Sequence, residues 1–167
     1  MKSSDQNLKK KYLSFLKKQE VKGEPFLNKI NQFKNFYLPI SEYIYKSLRI
    51  NKANNLIGLS GGQGSGKSTI AKILKIILEE RYKMKVINFS IDDYYKTIKE
   101  RKKFSKKTSH LFLTRGVPGT HDTKRLYKDL KNLKNKKFKK FYIPRFDKSI
   151  DDRSPKKNGL LLKKNQI

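Results

Sequence analysis

The chain has 167 residues, room for one domain that buries about 70% of its unfolded surface and too few for two. Its 42 Lys+Arg against 14 Asp+Glu leave a formal net charge of +28, and with no cysteine it can hold neither a disulfide nor a thiolate metal site. The charge raises nucleic acid as a partner, but no zinc-ligand set, helix-turn-helix signature or aromatic RNA-binding motif accompanies it, and the abundance of Lys, Asn, Ile, Tyr and Phe matches AT-rich codons.

The N-terminus, MKSSDQNLKKKYLSFLKKQE, lacks the apolar core of a signal peptide. Leu8, Tyr12, Phe15 and Leu16 recur at helical spacing among lysines, which predicts an amphipathic helix within residues 1–24. After the turn signal Gly23-Glu24-Pro25, Phe26, Ile30 and Phe33 give a weaker helical stripe. Pro39 then opens another helix, with Ile40, Ile44, Tyr45 and Leu48 on one face. Charged residues vanish between Ala53 and Gly66, where Leu56-Ile57-Gly58-Leu59 has the length and character of a buried parallel strand.

Ile70, Ile73, Leu74, Ile77 and Leu78 repeat every three or four residues, predicting a helix from Lys67 to about Tyr82. Val86 to Ile91 reads as a second strand. Strand, helix, strand at this spacing is a βαβ unit, which implies a right-handed crossover and a parallel sheet. Residues 96–109 are polar and Lys-rich, a mobile excursion or an exposed helix. Gly116-Val117-Pro118-Gly119 is a loop, and Leu126, Leu130 and Leu133 mark a helix whose N-cap is Thr120 or Asp122. Phe141-Tyr142-Ile143 before Pro144 is strand-like. Nothing approaches the roughly 18 uncharged apolar residues of a membrane span, so a cytoplasmic chain is expected.

Between the first strand and its helix the chain reads SGGQGSGKST. Gly61, four residues, then Gly66-Lys67-Ser68 is the P-loop pattern in the context that pattern needs. Glycines at 61, 62, 64 and 66 permit positive φ and leave inward-facing N–H groups unobstructed, with Gln63, Ser65 and Thr69 completing the cradle. The helix N-terminus adds partial positive charge in the same direction. Lys67 is expected on the outer phosphates of ATP and the Ser68 hydroxyl on Mg²⁺. The second strand ends in Ser90-Ile91-Asp92-Asp93-Tyr94-Tyr95, two carboxylates at the sheet edge where α/β proteins bind ligands. One carboxylate is placed to accept the proton of an attacking hydroxyl, while its neighbour holds a metal-bound water or caps the following helix.

SGGQGSGKST, SIDDYY, TRGVPGTHD and IPRFDKS followed by Asp-Arg occur in the order seen in D-glycerate 3-kinases. The resemblance runs from about residue 25 to 157, and these enzymes are related to phosphoribulokinase, uridine kinase and pantothenate kinase. It implies an α/β P-loop NTPase fold, a parallel sheet with flanking helices, and transfer of the ATP γ-phosphoryl to a hydroxyl of D-glycerate. By motif, Asp92 resembles the general base. Asp93 and Tyr95 resemble residues lining the same pocket, and Arg115, His121, Asp122, Arg145, Asp147, Lys148 and Arg153 resemble acceptor-site residues. Guanidinium groups suit that role because they hold a carboxylate through two parallel hydrogen bonds.

The resemblance also implies further elements after residue 157: an apolar strand ending in a Glu-Gly-Trp type motif, a lid and an adenine-contacting segment. In this group that strand lies between the two strands read above. The expectation is therefore a fold incomplete at the C-terminus, weakly active or inactive, with residues 158–167 an aberrant tail that a frameshift in an adenine-rich run would explain. The alternatives are a uridine-kinase-like or phosphoribulokinase-like acceptor, or a non-catalytic protein that binds ATP or nucleic acid. The sequence does not fix the oligomeric state.

Overall fold

The computed structural model describes residues 3–50, 56–135, 138–155 and 159–163. Ala53, where the uncharged stretch begins, and tail residues 156–158 and 164–167 lie outside the described residues. The chain forms two compact units that meet in sequence at Asn88 and Phe89.

The first unit is helical: α1 (Ser3–Gln19), α2 (Lys29–Gln32), a wide π turn over Phe33–Tyr37, α3 (Leu38–Ile50) and α4 (Lys67–Tyr82). The stripes read from the sequence meet in one core, where Leu8, Tyr12 and Leu16 of α1, Phe33 of the π turn, and Ile73 and Ile77 of α4 are all buried. Tyr12 is fully buried. Its ring stacks on Phe33 with centroids 4.7 Å apart, and its hydroxyl donates to the Lys29 carbonyl at 3.0 Å. Burial, reinforced by Tyr37, pushes its pKa up to about 12, so it remains a donor.

Pro39 opens no separate helix. It lies one residue into α3, in a run that is helical from Lys29 onward, because the π turn before it lets the Leu38 N–H reach back five residues to the Phe33 carbonyl. Such a local widening absorbs the ring and the missing N–H of a proline. At its far end α4 closes on Lys83 in the left-handed region (φ 54°), with the Met84 N–H on the Leu78 carbonyl at 3.1 Å.

The expected parallel sheet is not formed among the described residues. Leu56–Leu59 and the segment after Lys83 run without a ladder, and Ile57 and Leu59 are exposed. The polar groups of the second segment are spent on α4 instead. The Val86 N–H donates to Glu79 at 3.2 Å, the Val86 carbonyl accepts from Lys75, and Asn88 donates to the Ala71 carbonyl at 2.9 Å. The resemblance itself sets another strand between these two, so neither is the other's neighbour.

The second unit holds a 3₁₀ turn at Ile91–Tyr94, α5 (Ile98–Ser105), a 3₁₀ turn at His110–Leu113 and α6 (Thr123–Asn135). It also holds four short strands, β1 (Lys140–Ile143), β2 (Phe146–Asp147), β3 (Asp152–Arg153) and β4 (Leu160–Lys163). Both ladders are antiparallel, β1 with β4 and β2 with β3. β4 falls within the segment expected as an aberrant tail, and Leu162, opposite Phe141, is fully buried. Within the 96–109 stretch α5 is helical, but not wholly exposed, since Arg101 is buried. Asp122 rather than Thr120 caps α6, accepting from the Arg125 N–H at 3.1 Å. Among the described residues no helix is long and apolar enough to cross a membrane.

Ile77 is fully buried against α1, so Ile77→Ala leaves a cavity in the first unit. We expect a loss of about 2–5 kcal/mol, read as a fall in the urea midpoint followed by circular dichroism. A loss below about 1 kcal/mol would mean that this core is not the one described.

Candidate active site

In the first unit, α4 determines where the glycine loop ends. Gly64 and Gly66 sit at φ +76° and +75°, the left-handed region that costs other residues about 1–2 kcal/mol. Gly66, as the residue before α4, turns the chain so that the helix starts at Lys67. The Ser65 N–H closes on the Gly62 carbonyl at 3.3 Å, and the Ile70 N–H on the Gly66 carbonyl at 2.9 Å. Lys67 folds back over this loop. Its ammonium donates to the Gly61 carbonyl at 2.7 Å and also to the Gly62 carbonyl. A Cβ at Gly61 would stand 3.0 Å from Ser65 Oγ and within van der Waals contact of the Lys67 stem. Gly61 to Ser65, Gly66 and Ser68 are all exposed, so the loop is open to a ligand.

In the second unit the two adjacent carboxylates differ in their surroundings. Asp93 is buried and fully engaged. It accepts from the Ser90 N–H at 2.9 Å, in a capping box around the 3₁₀ turn, from Arg145 at 2.9 Å and from the Phe146 N–H at 3.4 Å. Asp92 faces outward, and its carboxylate pairs with the Lys148 ammonium at 2.9 Å. Asp93 thus fastens the turn to β2, and Asp92 is the one that can exchange partners.

An aromatic ladder stands beside this pair. Tyr95 bridges to His121 and stacks on its ring at 4.0 Å, Phe146 meets Tyr95 edge-on at 5.2 Å, and Arg115 lies over Phe146 at 5.5 Å. Arg153 closes the group by donating to the Tyr95 carbonyl at 2.8 Å and to Asp122 at 3.2 Å. Burial lowers the His121 pKa against the pull of Asp92, so its neutral form is favoured. Burial and then Asp92 raise the Tyr95 hydroxyl, opposed by Lys148, Arg115 and Arg101.

Of the expected acceptor-site residues, Asp93, Asp122, Arg145 and Arg153 hold the turns together. Asp147 accepts from the Ser149 N–H and hydroxyl, which lower its pKa, and so serves its own hairpin. Among the expected acceptor-site residues, Arg115 (Nη1) and His121 (Nε2) have buried atoms without a hydrogen-bond partner, as has Asp151 (Oδ1) beside Arg115. With the exposed Lys148 and the half-buried Asp92, Arg115 and His121 are the groups of this set that the turns leave least committed.

Sequence reasoning passed over two pairs that include a buried side chain. Tyr94 donates to Asp129 at 3.1 Å, and burial raises the pKa of both. Arg101 forms an ion pair with Asp151 at 2.8 Å. The usable signal was the choice of cation. Only seven of the 42 basic residues are arginine, and the five between 101 and 153 each lie within ion-pair distance of a carboxylate. A rigid fork is needed where a cation must be held in one geometry, and lysine does not supply it.

Residues 56–165 match the family model described as phosphoribulokinase/uridine kinase. The chain is 38% identical over 96 residues to the uncharacterized kinase mug58 of Schizosaccharomyces pombe, covering 56% of this chain and 34% of that protein. It is 37% identical over 107 residues to the "Probable ATP-dependent kinase TDA10" of Saccharomyces cerevisiae, covering 59% of this chain and 37% of that protein. The structure is similar to that of a D-glycerate 3-kinase from Cryptococcus neoformans, with a TM-score of 0.62 and 25% identity over 77% of this chain and 49% of that one. The chain thus spans about a third of the length of these two curated relatives and about half of the solved chain.

The folded His121 imidazole binds its proton less tightly than the unfolded one, whose pKa is 6.5. The stability it contributes to the second unit is therefore complete above 6.5 and is lost as pH falls toward the folded value. We expect the His121 ring proton to titrate by NMR with a midpoint below 6.5. A midpoint at or above 6.5 would contradict the burial argument.

Proposed function

The chain belongs to the phosphoribulokinase/uridine kinase family, and from that premise we propose that it transfers the γ-phosphoryl of ATP to a hydroxyl of a small carboxylate acceptor, D-glycerate, with residues 25–157 as the kinase portion. The observation that carries this reading is the Lys67 ammonium seated on the carbonyls of its own glycine loop, at the N-terminus of a 16-residue helix. A cation held there, beside open N–H groups and the positive end of a helix, is a receptor for a polyphosphate.

The loop, Gly61 to Thr69, takes the β- and γ-phosphates, and Lys67 exchanges its carbonyl partners for phosphate oxygens. A cradle that a Cβ at Gly61 would obstruct fits a phosphate drawn close to the backbone. The exposed Ser68 hydroxyl is the protein's ligand to Mg²⁺, an ion that keeps most of its shell as water and phosphate oxygen. Bound Mg²⁺ neutralises charge on the transferring group.

Asp92 is the base. It is displaced from Lys148 by the acceptor and takes the proton of the attacking hydroxyl. Lys148 and the unpartnered N–H of Arg115 face the acceptor's carboxylate, and His121, held neutral, donates to or accepts from a hydroxyl. Positioning and charge neutralisation carry most of such a reaction. The D-glycerate assignment is supported by the TRGVPGTHD and PRFDKS motifs and by the similarity to the Cryptococcus enzyme.

The test combines nucleotide binding with acceptor choice. Lys67→Ala should weaken Mg·ATP binding by at least tenfold in calorimetry, about 1.4 kcal/mol. Asp92→Asn should leave that binding within about twofold while lowering acceptor-dependent ADP release by roughly 10²–10⁴. Release with D-glycerate but not with uridine or ribulose 5-phosphate supports the acceptor assignment, and the reverse pattern replaces it. Equal loss of nucleotide binding in both variants would remove Asp92 from the role of base.

A further inference from the structure

We infer that Arg101 is a positioning residue. Buried in α5, it acts through the Asp151 carboxylate to hold Arg115 where its free N–H meets the acceptor's anionic group. This rests on the acceptor reading of Arg115 given above.

Arg101 is 1% exposed, and among the described residues it is the charged side chain with the largest fully buried volume. Its donors are distributed over four acceptors: the Lys96 carbonyl at 3.3 Å, the Leu113 carbonyl at 2.6 Å, and the Asp151 carbonyl at 2.5 Å and carboxylate at 2.8 Å. A lysine could not reach four acceptors from one buried position, so the fork is needed here. The side chain ties α5 to the stretch after His110 and to the turn between β2 and β3.

The partner is strained. Asp151 sits at φ +51°, a conformation that non-glycine residues keep only where their surroundings over-determine them. Its other carboxylate oxygen, Oδ1, lies 3.1 Å from Arg115 Nε, an ion pair without the geometry of a hydrogen bond. Two guanidinium groups therefore share one carboxylate, and the three side chains together carry one uncompensated positive charge. Arg115 Nη1 and Asp151 Oδ1 are both buried without a hydrogen-bond partner, so charge alone joins the pair and leaves the Nη1 donor unspent. Burying a charged donor without an acceptor is costly unless a ligand supplies one. Excess positive charge and an unspent N–H, on a guanidinium that lies over the Phe146 ring, together fit a carboxylate or phosphate oxygen. Arg101 neutralises one face of Asp151 and so fixes the face left for Arg115.

Nitrogen-edited NMR of the arginine side chains in the full chain tests this directly. In the wild type both Arg101 and Arg115 should give slowly exchanging Nε–H signals. Asp151→Asn removes the shared charge but keeps the backbone carbonyl that Arg101 uses. The Arg115 signal should then collapse into fast exchange while Arg101 persists, anchored on Lys96 and Leu113. Arg101→Lys, which keeps the charge and loses the fork, should also release Arg115. Persistence of both signals in Asp151→Asn, or collapse of both, would overturn the inference, the second because Asp151 would then be holding only the local fold.

Kinetics separates this from the acceptor reading. Asp151→Asn should raise KM for D-glycerate roughly ten- to a hundredfold, the loss of one charged hydrogen bond, with kcat unchanged. Selective collapse of Arg115 with no response of the wild type to glycerate would retain the positioning role and reject the acceptor. A glycerate response weakened by Arg115→Gln but not by Asp151→Asn would reject the positioning role and keep the acceptor.

Discussion

Lys67 is the first residue of α4, and everything proposed for the first unit depends on that coincidence. The same helix that buries Ile73 and Ile77 against α1 presents, at its first residue, the ammonium held over the glycine loop. The loop needs a rigid wall because its geometry, with Gly64 and Gly66 at positive φ, has little apolar contact of its own. The wall comes from the packing of α4 on α1 and on the π turn at Phe33. Apolar burial thus fixes the direction of the helix axis, and the helix axis fixes where backbone N–H groups and partial charge point.

The second unit solves a different problem with a different interaction. Its turns are joined by arginine–carboxylate pairs: Arg145 with Asp93, Arg153 with Asp122, and Arg101 with Asp151. Exposed pairs of this kind contribute little, but these have at least one buried or half-buried partner and share hydrogen bonds with backbone groups. The same pairs sort the acids by availability. Asp93 is consumed by the fold and Asp92, its neighbour, is left with an exchangeable lysine. Adjacent carboxylates with unequal surroundings are how one turn can be both a brace and a reactive edge.

What could be read from the sequence followed the range of the interaction concerned. The turn of glycines ahead of α4, α4 itself and the helices α1 and α6 are local patterns of glycine and apolar spacing, and these elements appear where expected. The division of labour between Asp92 and Asp93 was posed by the sequence but not decided, because Arg145 lies 52 residues away from Asp93. Arg101 was invisible for the same reason: amid lysines, nothing local says that its partner is 50 residues on. Pro39 was misjudged because a π turn has no composition signature. The sheet was expected from two apolar runs, yet a ladder is a pairwise property, and Val86 found its partners in Glu79 and Lys75 of α4 instead.

A chain with a formal charge of +28 attracts any polyphosphate, so binding alone does not identify the loop as a receptor. The most direct measurement is therefore the backbone amide spectrum during titration with Mg·ATP at about 0.3 M salt, where the screening length is only some 5–6 Å. If the loop is the receptor, the amides of Gly62, Gly64, Gly66 and Lys67 move first and saturate together. Shifts spread over the lysine-rich faces of α1 and α6, and abolished by the salt, would mean that this chain binds nucleotides as a polycation and that the kinase reading is wrong.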